Sequence, residues 1–254
     1  MTLTGRTPQW LELEGAVNAR VVVPGALLRS DNLQALSARD LRTLVDEQRV
    51  RRVLDLRTDE ELYLEGPGPM TLEPAVTIEH RSLYPHSGNT DFDLQETVVP
   101  WGAGEDGDYA DEVPTVRAYM AYVLHRPDSI AASLRSIATT EGAVLVHCAA
   151  GKDRTGVVVG LALDAAGWDR ELIVADYLAT SERIEEILVR LRSSETYRAE
   201  LEGHSAQRHA PVPGAMERVL ELVDRDFGGT LALLAEHGVG EDEIAQLRQR
   251  LPRA

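Results

Sequence analysis

The chain has 254 residues, enough for one large domain or two small ones, and its 43% apolar content is ordinary for a globular protein. A formal net charge of −16 argues against binding to nucleic acid phosphates and against docking on an anionic membrane surface. No apolar run approaches the ~18 residues that span a bilayer, the first residues lack the charged head and apolar stretch of a signal peptide, and the single cysteine allows neither an internal disulfide nor a multi-cysteine metal site. The expectation is a soluble, cytoplasmic protein.

In chain order, short strands are predicted over 20–23 and 26–29, around the Pro24-Gly25 turn. Ser37 with Asp40 reads as a helix cap, and Leu41, Leu44 and Val45 supply the apolar stripe behind it. Residues 52–56 (Arg-Val-Leu-Asp-Leu) form a compact buried-strand pattern. Thr58 and Glu61 open a second helix by a capping box, and Gly66-Pro67 stops it. Another strand is expected over 76–83. From Ser82 to Val116 there is no Lys or Arg but eight Asp or Glu, with Gly, Pro and Asn scattered among them. Residues 85–115 are therefore expected as a long acidic loop, either a lid or a solvated face.

Helices are expected over 119–124 and 129–137. Residues 143–147 (Ala-Val-Leu-Val-His) are the clearest buried strand, and 155–166 is apolar nearly all round, the mark of a buried helix, ending at Gly167. Asp169 and Ser181 are candidate caps for helices over 171–178 and 183–191. A polar loop over 203–214 and helices over 215–226, 230–237 and 241–251 finish the chain. The fold class is α/β: a single domain over 1–254, its central, mostly parallel sheet flanked by helices, with a helical C-terminal part from about 168 to 254.

Between the clearest strand and the buried helix lies His147-Cys148-Ala149-Ala150-Gly151-Lys152-Asp153-Arg154-Thr155-Gly156. A strand, a tight turn and a helix start let the backbone N–H groups of residues 149–154 converge on one anion. Ala149, Ala150 and Gly151 are small enough for close approach, and Gly151 can take a positive φ. A helix N-terminus and a nearby guanidinium favour a thiolate over a thiol, and the thiolate is the nucleophile, so Cys148 is the candidate. Arg154 offers a planar fork for two phosphoryl oxygens, which a lysine could not copy. Lys152 is a candidate second contact to substrate. A lone cysteine is commonly a small buried hydrophobe, but the strand–turn–helix context argues for chemistry here.

His-Cys-x-x-Gly-Lys-x-Arg-Thr-Gly resembles the signature loop of the protein tyrosine phosphatase superfamily. The run Lys152-Asp153-Arg154 resembles the bacterial branch acting on phosphotyrosine, phosphoserine/threonine and some phosphoinositides. Residues 24–31 (Pro-Gly-Ala-Leu-Leu-Arg-Ser-Asp), Asp55-Leu56-Arg57, residues 175–178 (Ala-Asp-Tyr-Leu) and Phe227-Gly228-Gly229 with Leu231 are similar to that branch's flanking motifs, in the same order. The resemblance implies a cysteine-dependent phosphoric monoester hydrolase that forms a phosphocysteine on Cys148, which water then hydrolyses. Thr155 would bond the sulfur and help it leave, His147 would support the loop from behind, and Ala149 to Arg154 would bind the phosphate. No metal or cofactor is implied. The implied partner is a phosphorylated protein or a small phosphomonoester, with no nucleic acid and no stable membrane association.

No Trp-Pro-Asp tripeptide occurs, so the general acid has two candidate sources. One is Asp153, in the loop itself; the other is the acidic segment after Tyr84-Pro85, through His86, Asp91 or Asp93. Asn18-Ala19-Arg20-Val21 lacks the Phe and Asp of the branch's usual pattern, which leaves the N-terminal segment without an expected role beside the site. Arg29, Asp31, Asp55, Arg57, Asp176 and Tyr177 read as a structural network around the strand ends. The alternative readings are a catalytically idle phosphate- or phosphopeptide-binding module with the same loop, and a sulfur or arsenate transferase using the same cysteine.

Overall fold

The computed structural model describes residues 7–84, 109–201 and 205–253. Among the described residues six strands form one sheet: β1 (Gln9–Trp10), β2 (Arg20–Val23), β3 (Leu27–Ser30), β4 (Val50–Asp55), β5 (Thr77–His80) and β6 (Ala143–His147), in the order β1-β2-β3-β6-β4-β5. β2 runs antiparallel to β1 and β3, while β3, β6, β4 and β5 are mutually parallel. A central parallel strand is covered on both faces, which is why β6 reads as an unbroken apolar run.

The helices are α1 (Ala38–Arg42), α2 (Asp59–Glu65), α3 (Pro114–His125), α4 (Pro127–Thr139), α5 (Asp153–Ala166), α6 (Arg170–Ala179), α7 (Ile184–Ser193), α8 (Glu195–Leu201), α9 (Ala206–His209), α10 (Ala215–Phe227), α11 (Thr230–Glu236) and α12 (Glu241–Arg250). Both expected capping boxes form, at Ser37 with Asp40 and at Thr58 with Glu61. Alternation along the strands divides the core. Leu27, Leu54, Val144 and Val146 pack with Met120, Ile130, Val158 and Leu222 from the helices on one face. Leu28, Val53, Ala143 and Leu145 pack with Leu36, Leu44 and Met70 on the other. Buried α5 meets its neighbours through glycines: a Cβ at Gly156 would lie 3.0 Å from Tyr177 Cδ2, and one at Gly160 3.0 Å from Met216 Sδ.

Several predicted boundaries are corrected. α3 begins at Pro114, inside the segment expected as acidic loop, and residues 85–108 lie outside the described residues. Ser181 sits within a short helical turn, Thr180–Arg183, and α7 starts only at Ile184. The expected polar loop over 203–214 contains the single turn α9. β1 and α8 were not anticipated: two residues are too few for a strand period, and α8 shows its packing only in three dimensions, where Tyr197 and Leu201 are buried with Ile187 and Leu191 of α7. Among the described residues no helix is long and apolar enough to cross a membrane.

Candidate active site

β6 delivers the chain to Cys148, and α5 opens at Asp153. The turn between them is gripped from outside. The carbonyl of Ala149 accepts from Asn32 N at 2.9 Å. That of Ala150 accepts from Asn18 Nδ2 at 2.8 Å, and that of Gly151 from Arg29 Nη2 at 2.7 Å and Asn18 Nδ2 at 3.2 Å. A peptide's N–H points opposite to its C=O. With these carbonyls held outward, the N–H groups of residues 150–152 turn inward, in line with the α5 N-terminus. Gly151 has a φ of +65°, and a Cβ there would lie 2.2 Å from Ser30 O, so no larger residue fits.

The outer grip is itself anchored. Asn18 Oδ1 accepts from Arg20 Nη1 at 2.6 Å, and Asp176 of α6 pairs with Arg20 at 3.0 Å and with Arg29 at 2.5 Å. Burial pushes the Asp176 carboxyl up, but the charges of Arg20 and Arg29 outweigh this and leave it below the usual range. Asp31 pairs with Arg190 at 3.4 Å, yet burial holds its carboxyl above the ordinary value. The charged residues at the strand ends thus form the structural network expected. The N-terminal segment, which had no expected place at the site, supplies Asn18 as a direct support of the loop, and that expectation is corrected.

Inside the turn, the Thr155 hydroxyl donates to Cys148 Sγ at 3.2 Å, both residues being buried. His147 stands behind: Nδ1 lies 3.2 Å from the Cys148 carbonyl oxygen and Nε2 3.4 Å from Asp55 Oδ2. Asp55 also takes a forked pair from Arg57, with Nη2 at 2.7 Å and Nε at 3.0 Å. Its burial raises the carboxyl, and the His147 and Arg57 partners overcome this and hold it well below the usual range.

Arg154 meets Glu61 of α2 head-on. Nη1 bonds Oε2 and Nη2 bonds Oε1, the latter at 3.0 Å. Glu61 is fully buried, and further donors complete its shell: Thr58 N at 2.7 Å and the Tyr197 hydroxyl at 3.0 Å. The Tyr84 ring lies 5.6 Å from the Arg154 guanidinium carbon, a cation–π distance. Arg154 loses solvation by burial, but Glu61 and the Cys148 sulfur more than restore its charge, so its pKa lies above the ordinary value.

The Lys152 ammonium donates to the His209 carbonyl at 2.6 Å and lies 3.5 Å from Asp153 Oδ1. Asp153 Oδ1 also accepts from the Tyr119 hydroxyl at 2.5 Å. The other candidate acids, His86, Asp91 and Asp93, lie outside the described residues. Glu61 escaped sequence reasoning as a site residue because its role in the capping box already accounted for it. Asn18 escaped through its atypical context, and Tyr119 because it reads as part of an apolar helix stripe.

Residues 12–253 match the model of the tyrosine phosphatase family. A tyrosine-protein phosphatase of Nostoc commune is 30% identical over 250 residues, covering 94% of this chain and 78% of its own. The triple specificity protein phosphatase PtpB of Mycobacterium tuberculosis is 31% identical over 278 residues, covering 93% of this chain and 97% of its own. Among solved structures, TpbA of P. aeruginosa aligns with 84% of this chain and 95% of its own at 16% identity, with a TM-score of 0.39, too distant to add to the case. On the match across nearly its whole length, the chain belongs to the tyrosine phosphatase family.

Proposed function

We propose that this chain hydrolyses phosphoric monoesters as a cysteine-dependent phosphatase, acting as one domain, with Cys148 as nucleophile. The observation that carries this is the Thr155 hydroxyl aimed at the Cys148 sulfur beneath a turn whose carbonyls face outward. A sulfur that only fills space needs no donor. One that must leave phosphorus with a negative charge gains from it.

In the first step the Cys148 sulfur forms a bond to phosphorus as the ester P–O bond breaks, and a proton from Asp153 goes to the leaving oxygen. In the second, a water oxygen attacks phosphorus and Asp153 takes its proton. The P–S bond breaks, inorganic phosphate leaves, and Thr155 stabilises the departing sulfur. The N–H groups of the turn and Arg154 hold the equatorial oxygens in both steps. Because Glu61 engages Arg154 head-on, the Nε–H and the outer Nη2–H remain along one edge for two of them. His147, backed by Asp55, fixes the loop.

The substrate class is a phosphorylated protein or small phosphomonoester, phosphotyrosine among them, in keeping with relatives named as a tyrosine-protein phosphatase and a triple specificity protein phosphatase; phosphoserine/threonine and phosphoinositides stand beside it as substrates of the branch that the loop resembles. The absence of stable membrane docking fits the net charge of −16, and a cytoplasmic location is part of the same proposal. The test is turnover of 4-nitrophenyl phosphate, with radiolabelled substrate quenched in acid. Wild type should show vanadate-sensitive, chelator-insensitive turnover and a trapped phosphocysteine. Turnover that survives Cys148→Ser would refute the nucleophile. Phosphate binding by wild type without turnover would mark the idle module instead.

A further inference from the structure

The hydrogen bonds leading to Asp153 have a direction that follows from counting protons. Val212 N–H can only donate, and it donates to the Tyr177 hydroxyl oxygen at 3.3 Å. The Tyr119 hydroxyl donates to Asp153 Oδ1 at 2.5 Å, and the Tyr119 and Tyr177 hydroxyl oxygens lie 2.9 Å apart. A hydroxyl carries one proton. Since that of Tyr119 is committed to Asp153, Tyr177 must donate to Tyr119. The chain runs one way, from Val212 N through Tyr177 and Tyr119 to Asp153 Oδ1.

Both phenols are held rigidly. Their rings meet edge to face at 87° with centroids 6.2 Å apart, and Gly156 leaves the space that the Tyr177 ring fills. Burial, reinforced by the neighbouring Asp153 carboxyl, keeps both hydroxyls protonated far above neutrality. Oδ1 of Asp153 thus faces two donors, the Tyr119 hydroxyl and the Lys152 ammonium at 3.5 Å. Oδ2 accepts no hydrogen bond from the described residues, and the side chain is 22% exposed. A carboxylic acid carries its proton on one oxygen. With donors crowding Oδ1, that oxygen is Oδ2.

We propose that Tyr119 is a positioning residue for the general acid: through its hydroxyl, backed by Tyr177 and Val212 N, it fixes Asp153 with Oδ2 as the oxygen that exchanges the catalytic proton. This rests on the reading of Asp153 as the acid. It also gives a role to Tyr177, which reads from the sequence as merely structural, and to the connection before α10, whose backbone amide starts the chain.

The test compares kcat/KM for phenyl phosphate, whose leaving group needs a proton, with 4-nitrophenyl phosphate, whose leaving group hardly does. Tyr119→Phe keeps the ring and removes only the hydroxyl. Asp153→Asn should lose about 100-fold on phenyl phosphate and only a few-fold on the nitrophenyl ester, the scale of general acid catalysis. Tyr119→Phe should lose about tenfold on phenyl phosphate and less than about twofold on the other, with unchanged vanadate inhibition showing an intact loop. Tyr177→Phe, one step further back, should show the same bias at about threefold, and it serves if Tyr119→Phe does not fold. Equal losses on both esters in the tyrosine variants, or no loss, overturn the positioning role while Asp153→Asn still shows the bias. A missing bias in Asp153→Asn overturns the acid assignment itself, and the proposal with it.

Discussion

Replacing Glu61 by Gln keeps the side chain's size and removes one charge, in a position where every neighbour is a donor. Oε2 accepts from Thr58 N at 2.7 Å and from Arg154 Nη1, while Oε1 accepts from Arg154 Nη2 and the Tyr197 hydroxyl, each at 3.0 Å. An amide puts N–H groups where one oxygen stood, so two of these four donors then face a donor. Arg154 also loses its counter-charge at a fully buried carboxyl. Breaking a buried pair from one side costs about 3–5 kcal/mol, a large part of the roughly 5–15 kcal/mol that holds a protein folded. At roughly 2–4 °C per kcal/mol for a chain of this size, Tm should fall by roughly 6–20 °C. Activity should fall too, by about 100-fold in kcat/KM, the scale of losing one well-placed donor to the transition state. The pH dependence follows from the carboxyl. Burial raises it, but Arg154 and the Thr58 amide outweigh this, so it lies below the usual range when folded. A group depressed on folding stabilises above its unfolded value, about 4.3 for Glu, and loses that contribution as pH falls through the folded one. The stability gap between wild type and Glu61→Gln, measured by urea unfolding, should therefore be constant down to about pH 5 and shrink below it. A Tm within about 2 °C of wild type, or a gap that does not shrink in acid, would show that breaking the pair from one side does not cost this much.

Asn18→Ala removes the donor to the carbonyls of Ala150 and Gly151 and should lower kcat/KM on 4-nitrophenyl phosphate by about tenfold, with the far-ultraviolet circular dichroism unchanged. Unaltered kinetics would mean that Arg29 and Asn32 suffice to hold the turn. Gly151→Ala places a Cβ 2.2 Å from Ser30 O at a φ of +65°, and the backbone must move. About 100-fold or more of the activity should go, along with the rise in Tm that inorganic phosphate gives wild type; retained phosphate protection would count against the cradle. Thr155→Val takes the donor from the Cys148 sulfur, so the second step should slow more than the first. A pre-steady-state burst of nitrophenol and about tenfold lower kcat are expected, and a variant with no burst would place Thr155 outside that step.

The loop is legible in the sequence because each of its parts carries a local signal. An apolar run makes β6, small residues make the turn, and a helix pattern stopped by Gly167 makes α5. The parallel sheet follows from the same reasoning, as does each capping box. Partners are another matter. Glu61 has a complete local explanation at the third position of α2, and nothing in the chain marks that its carboxylate also meets Arg154, 93 residues on. That meeting depends on β4 lying beside β6, a neighbourhood decided by sheet order rather than by any local pattern. Asn18 reaches Ala150 across 132 residues for the same kind of reason, because β2 follows β3 at the sheet's other side. Tyr119 fits an apolar helix stripe, and only its hydroxyl, invisible to periodicity, reaches Asp153.

The placement of these partners bears on how a chain with a net charge of −16 can hold a dianion. Around the turn, Arg154 is matched by Glu61 and Arg57 by Asp55, Asp176 is shared between Arg20 and Arg29, and Lys152 lies beside Asp153. Those pairs leave little net positive charge, so long-range attraction is not what brings the phosphate in. In the proposed mechanism the favourable field comes instead from the N–H groups of the turn and the α5 N-terminus, together with the edge of Arg154 that Glu61 leaves open. Such a dipolar field is strong at contact and fades within a few ångströms, inside a Debye length of about 8 Å at physiological salt. The acidic surface repels an anion on approach, and only a monoester whose phosphate reaches the turn recovers that energy. Buried ion pairs are weak sources of stability, and their better-attested value is in fixing one arrangement among several. Here the arrangement fixed is a fork with one edge tied to Glu61, which leaves the other for the phosphate in the proposed mechanism.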